Sequence, residues 1–118
     1  MKANEKQNQH SVTAQRAKEG VLGENEIQAM CKVYQLLADP VRLKIVLALL
    51  VGDMCVGNLT DVCGVTQSGV SHQLRVLRDN GIVKCKRLGQ RVEYSIADEH
   101  IREIIEMGKA HVACAGVR

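Results

Sequence analysis

From Asn25 onward the apolar positions Ile27, Met30, Cys31, Tyr34, Leu37 and Ala38 recur at intervals of three and four, which predicts an amphipathic helix. Asp39-Pro40 closes it and opens the next, because Pro fits a first helical turn and Asp is a good N-cap. Val41 to Leu50 (VRLKIVLALL) is nearly all apolar, with Arg42 and Lys44 as interruptions, so a short helix buried on most sides is expected up to Gly52. Cys55 to Cys63 (CVGNLTDVC) predicts a shorter helix with Val56, Leu59, Val62 and Cys63 inward. Gly64-Val65 is then a turn, and Thr66 caps a helix whose inner stripe is Val70, Leu74 and Leu77, with Val76 beside it. Asn80-Gly81 stops that helix by the C-terminal glycine device.

Beyond Gly81 the period changes to two. IVKCKRLGQRVEYSI reads as a hairpin turning at Leu88-Gly89-Gln90, and a last amphipathic helix follows over residues 98–113. Residues 1–22 carry no apolar stripe and are rich in Lys, Gln and Asn, so a flexible N-terminal tail is expected there. The folded domain then spans 23–114, with 115–118 as a C-terminal tail. A short helix, a glycine turn and a second helix make a helix-turn-helix. The second helix turns Gln67, Ser68, Ser71, His72 and Arg75 outward, residue types that read base edges and phosphates in a major groove. The hairpin holds Lys84, Lys86, Arg87, Gln90 and Arg91 and forms a basic wing beside it. The class is therefore mostly α with a small β-hairpin, a winged helix-turn-helix expected to bind double-stranded DNA.

Composition adjusts this picture in three ways. The 118 residues suit one domain, but there is no Phe or Trp, so the core must be aliphatic and a second chain is a natural means of completing it. A net charge of +3 permits a nucleic-acid partner without demanding one. No apolar run is long enough to span a membrane and no signal region opens the chain, so a soluble, cytoplasmic protein is expected. The 5 cysteines include no C-x-x-C pair and are expected as reduced thiols, with Cys31, Cys63 and Cys85 packed in the core.

The stretches LADPVRLKIVLALL, GVTQSGVSHQLRVLRDNGIV and RLGQRVEYSI resemble the ArsR/SmtB family of bacterial metal-responsive repressors over roughly residues 25–114. The resemblance implies a homodimer built through the first and last helices, which binds an inverted-repeat operator and leaves it when an inducer binds. It also implies that zinc- and cobalt-type ligands fall on Asp98, His100, His111 and Cys114, with Cys114 replacing the usual His or Glu. The Cys-Val-Cys opening of arsenic- and cadmium-sensing members is incomplete here, since Cys55-Val56-Gly57 lacks the second sulfur. Cys55 is expected to be mainly a packing residue, with a lesser role as a second sensing site, joined by His10 of the tail.

The last helix carries its own geometric argument. His100 and His111 are eleven residues apart, about three turns, so they share a face. At ~1.5 Å per residue they are separated by roughly 16 Å, whereas a zinc–nitrogen bond is about 2.0–2.1 Å. One helix therefore cannot use both on one ion, but two copies packed antiparallel can. His111 and Cys114 are three apart and chelate from one face. Asp98 and His100 converge only at a frayed helix start or at an N-cap, where Asp98 sits. Four ligands, two from each chain, fit a closed tetrahedral site, and a thiolate favours zinc, cadmium or copper(I) over harder ions. Zinc is the expected inducer, with cadmium, cobalt, nickel and copper(I) as alternatives. The rival reading is a thiol-based redox or persulfide sensor of the same fold, using Cys114 with Cys55 or another cysteine. A metal-dependent hydrolase is the distant rival, and it lacks an open ligand position and a general base.

Overall fold

A computed structural model describes residues 2–116, and the chain divides into two units between Lys32 and Val33. The first holds α1 (Lys2–Gly20) and the opening turns of α2 (Glu24–Leu37). A helix over residues 2–20 is not what the polar composition suggests. Its sequence is nonetheless rich in Lys, Gln, Glu, Ala and Arg, which lose little on entering a helix. With no apolar stripe to bury, its side chains from Asn8 to Gly20 are all exposed. The break expected between residues 22 and 23 falls in the link between α1 and α2. Cys31, expected in the core, is exposed. Periodicity put it on the apolar stripe of its helix, but periodicity identifies a stripe without saying what covers it.

In the second unit, α3 (Pro40–Val51) begins as expected. Asp39 accepts from the Arg42 N–H at 3.0 Å, and Pro40 occupies the first turn. Ile45, Val46, Ala48 and Leu49 are buried, which makes α3 the central helix. A two-residue strand β1 (Met54–Cys55) precedes α4 (Val56–Cys63). Gly64 ends α4 in the left-handed region (φ +67°), donating its N–H to the Thr60 carbonyl at 3.0 Å. Val62, expected inward, is 59% exposed, because α4 buries only the face carrying Leu59 and Cys63.

Thr66 caps α5 (Gln67–Asp79), its hydroxyl accepting from the Gly69 N–H at 3.1 Å. Val70, Leu74 and Leu77 are wholly buried against the core. The helix ends at Gly81 (φ +74°), where the Ile82 N–H reaches back to the Leu77 carbonyl at 2.9 Å. Strands β2 (Val83–Leu88) and β3 (Arg91–Ile96) pair antiparallel from Val83↔Ile96 to Leu88↔Arg91. The connection is two residues long, with Gly89 supplying the positive φ that a tight hairpin needs (+64°). β1 adds to the other side of β3, giving the order β1-β3-β2. Cys85, expected in the core, is only half-buried on β2.

The last helix, α6 (Glu99–Cys114), sends Ile101 and Ile105 into the core, while Met107 and Val112 are 69% and 44% exposed. An open apolar groove of about 650 Å³ runs between the end of α2 (Tyr34, Leu37) with Ala38 just beyond it, α3 (Leu43, Leu47) and α6 (Ile104, Gly108, Val112). Arg102 fixes the start of α6, donating to the Leu50 carbonyl at the end of α3 at 3.4 Å and facing Glu99 at 3.6 Å. Among the described residues no helix is long and apolar enough to cross a membrane.

Candidate nucleic-acid interface and metal ligands

The two faces of α5 are sharply divided. One supplies three fully buried aliphatic residues, and the other presents Gln67, Ser68, Ser71, His72 and Arg75, all exposed. The Thr66 cap and the packing of α4 hold this helix with its polar face outward. The hairpin tip presents Arg87, Gln90 and Arg91, with Lys84 and Lys86 exposed along β2. Not all of this charge is free. Lys86 lies opposite Glu93 in the ladder, and Arg91 approaches the Glu93 carboxylate at 3.9 Å. Arg87 folds back to donate to the Gly89 carbonyl at 3.3 Å, which stiffens the tip.

One basic residue escaped the sequence reading. Arg78 is exposed on the last turn of α5 and donates to the Cys85 thiol on β2 at 3.6 Å, joining helix and wing. That hydrogen bond holds its guanidinium above its already high ordinary pKa. Its spacing of three from Arg75 was the available signal, since both lie on one face of the helix. Cys63 behaves differently. Burial raises its thiol pKa, a trend partly offset by Lys44.

At the start of α6, Asp98 is the N-cap, its Oδ1 accepting from the Ile101 N–H at 3.0 Å. The same oxygen lies 3.8 Å from His100 Nδ1. Asp98 and His100 therefore approach each other with Asp98 at the N-cap. Both are well exposed, with side chains 54% and 90% accessible. A carboxylate has about four acceptor positions, so the single cap bond leaves Asp98 free to bind a cation as well. His111 and Cys114 occupy the last turn of α6 and are exposed. Within one chain, no group of three or more His, Cys, Asp or Glu among the described residues comes together to hold an ion. Cys55 is half-buried and His10 exposed on α1.

The sequence and fold are similar to those of known regulatory proteins. Residues 39–84 match the family described as "Bacterial regulatory protein, arsR family". A cadmium resistance transcriptional regulatory protein CadC homolog from Staphylococcus aureus is 33% identical over 103 residues, covering 86% of this chain and 84% of that one. The chain belongs to the ArsR/SmtB family of transcriptional repressors. A transcriptional repressor SmtB homolog from Synechocystis sp. is 40% identical over 84 residues, and that match spans 71% of this chain but 64% of the relative. The crystal structure of the AntR antimony-specific transcriptional repressor is similar to this fold with a TM-score of 0.74, at 28% identity over 81% of this chain and 87% of that one. Its homologues are transcriptional regulators, which are not enzymes, so hydrolase chemistry is set aside.

Proposed function

We propose that the protein is a homodimeric repressor that binds an inverted-repeat operator through α5 and the wing, and that a thiophilic transition metal, zinc above all, releases it from DNA. In this reading the metal is held between the α6 helices of two copies, by Asp98 and His100 of one chain and His111 and Cys114 of the other. The observation that carries the reading is the 3.8 Å approach of Asp98 to His100 at the cap, which brings two candidate ligands together with both side chains open to solvent. The other two lie on the same helix, beyond the reach of the first two within one chain. The open apolar groove along α6 supports a second copy, since an aliphatic surface of this kind favours a protein partner over water. The names of two relatives, a cadmium resistance regulator and an antimony-specific repressor, support a soft or borderline ion.

Release follows from linkage. A metal that draws the two α6 helices together favours a dimer whose recognition helices no longer match half-sites one duplex turn apart. Metal and operator then oppose each other by one reciprocal coupling energy. Because the ligands must be neutral imidazoles and a thiolate, metal affinity rises with pH. The test is operator release by zinc in the His100→Ala/His111→Ala variant. The expected result is unchanged operator binding without metal and no release when zinc is added. Full release by that variant would contradict the site. Release by peroxide or polysulfide, abolished by Cys114→Ser, would instead favour thiol sensing.

A further inference from the structure

Arg42 interrupts an apolar helix, and the fold uses it for neither solvent exposure nor charge pairing. Its backbone N–H is held by the Asp39 cap at 3.0 Å, which fixes where its side chain starts. The guanidinium is half-buried and spans two elements. Nε donates to the Leu36 carbonyl in the last turn of α2 at 2.8 Å, and Nη1 donates to Gln73 Oε1 on α5 at 3.1 Å. Among the described residues it pairs with no carboxylate. Gln73 adjoins His72 and lies two residues from both Ser71 and Arg75 on the proposed reading face. Leu36 adjoins Leu37, which lines the apolar groove.

We propose that Arg42 is a positioning residue for the recognition helix, a strut that sets the angle of α5 against the end of α2 and so keeps its outward face in register with DNA. Two donors of a planar fork, aimed at two fixed acceptors, specify orientation in a way that an apolar contact cannot. The cation also makes its hydrogen bonds stronger than neutral ones. A lysine at this position would keep the charge but lose the fork. The inference rests on the reading of α5 as the DNA-recognition helix.

The test uses the full chain with Arg42→Met, Arg42→Lys, Gln73→Met and the double variant Arg42→Met/Gln73→Met. Each is titrated against a labelled duplex enriched by the wild-type protein from a randomised library, and against an unrelated duplex at the same salt. Each single variant is expected to lose at least roughly tenfold on the enriched duplex, as for loss of the charge-assisted Arg42–Gln73 hydrogen bond. Binding to the unrelated duplex, set by phosphate contacts, should be unchanged. The double variant should be no weaker than the weaker single one, because both substitutions remove the same bond. Amide exchange over residues 71–75 of the free protein should quicken in each variant, reporting the strut without DNA. A kept preference, multiplying losses, rescue by Lys, or unaltered exchange would overturn the role. If Arg42→Met does not fold, Gln73→Met removes the same contact from a half-buried helix position and decides the matter. A wild-type protein that enriches no duplex would instead refute the DNA-binding reading, and the exchange result would still judge the strut.

Discussion

Asp98 is assigned two roles, helix cap and metal ligand, and two substitutions separate them. Asp98→Ala removes the acceptor of the Ile101 N–H, a 3.0 Å bond in the first turn of α6. Loss of an N-cap costs roughly 0.5–2 kcal/mol, typically about 1. For a domain of this size that lowers the melting temperature by roughly 4–8 °C. Asp98→Asn keeps an equally good cap, so its cost is limited to the lost charge at the helix N-terminus, about 0.3–1 kcal/mol and toward the lower end at an exposed site. Both substitutions remove the carboxylate and should weaken zinc binding alike. The assay is urea unfolding of the metal-free protein at one fixed concentration, because dimerisation makes stability concentration-dependent, together with zinc titration of each variant by calorimetry. An asparagine variant as unstable as the alanine variant would refute the cap. An asparagine variant with undiminished zinc affinity would refute the ligand.

Leu74 is fully buried, so Leu74→Ala should cost about 2–5 kcal/mol in unfolding free energy, measured by denaturant titration. Burial raises the Cys63 pKa in the folded state, so the unfolded chain ionises first as alkalinity increases. Stability from this thiol is therefore complete below the ordinary thiol range and falls as pH rises through it toward the folded-state pKa. The urea midpoint of Cys63→Ala should depend less on pH across that window than the wild-type midpoint. In the wing, Arg87→Ala and Arg91→Ala should each weaken binding to all duplexes similarly and reduce the slope of log affinity against log salt by about 1, read from titrations at several salt concentrations.

The elements were legible wherever period and punctuation agreed. Asp39-Pro40, Gly64, Thr66 and Gly81 each perform the capping or turning role that their residue type implies. The approach of His100 to Asp98 was legible too, because an N-cap lies outside the helix and can turn back toward a residue two positions on. What was not legible depends on neighbours distant in sequence. The strand Met54–Cys55 exists only because β3 offers it an edge, and two residues carry no period of their own. Val62 and Cys31 sit on apolar stripes, yet periodicity cannot say which stripe is covered. The helix Lys2–Gly20 forms from strong helix formers, and its side chains from Asn8 to Gly20 are exposed, a case that a search for apolar stripes passes over. Arg42 looked like a mere interruption until its two acceptors, Leu36 and Gln73, were placed by the fold.

The central claim, a metal site shared between two copies, is tested most directly by mixed dimers. One chain carries Asp98→Ala/His100→Ala and the other His111→Ala/Cys114→Ser, and zinc stoichiometry is measured for each homodimer and for the purified mixed dimer. A shared site predicts no tight zinc in either homodimer and one tight zinc in the mixed dimer, whose unaltered halves meet once across the seam. A mixed dimer that binds no tight zinc, or a homodimer of either variant that keeps it, would contradict the account.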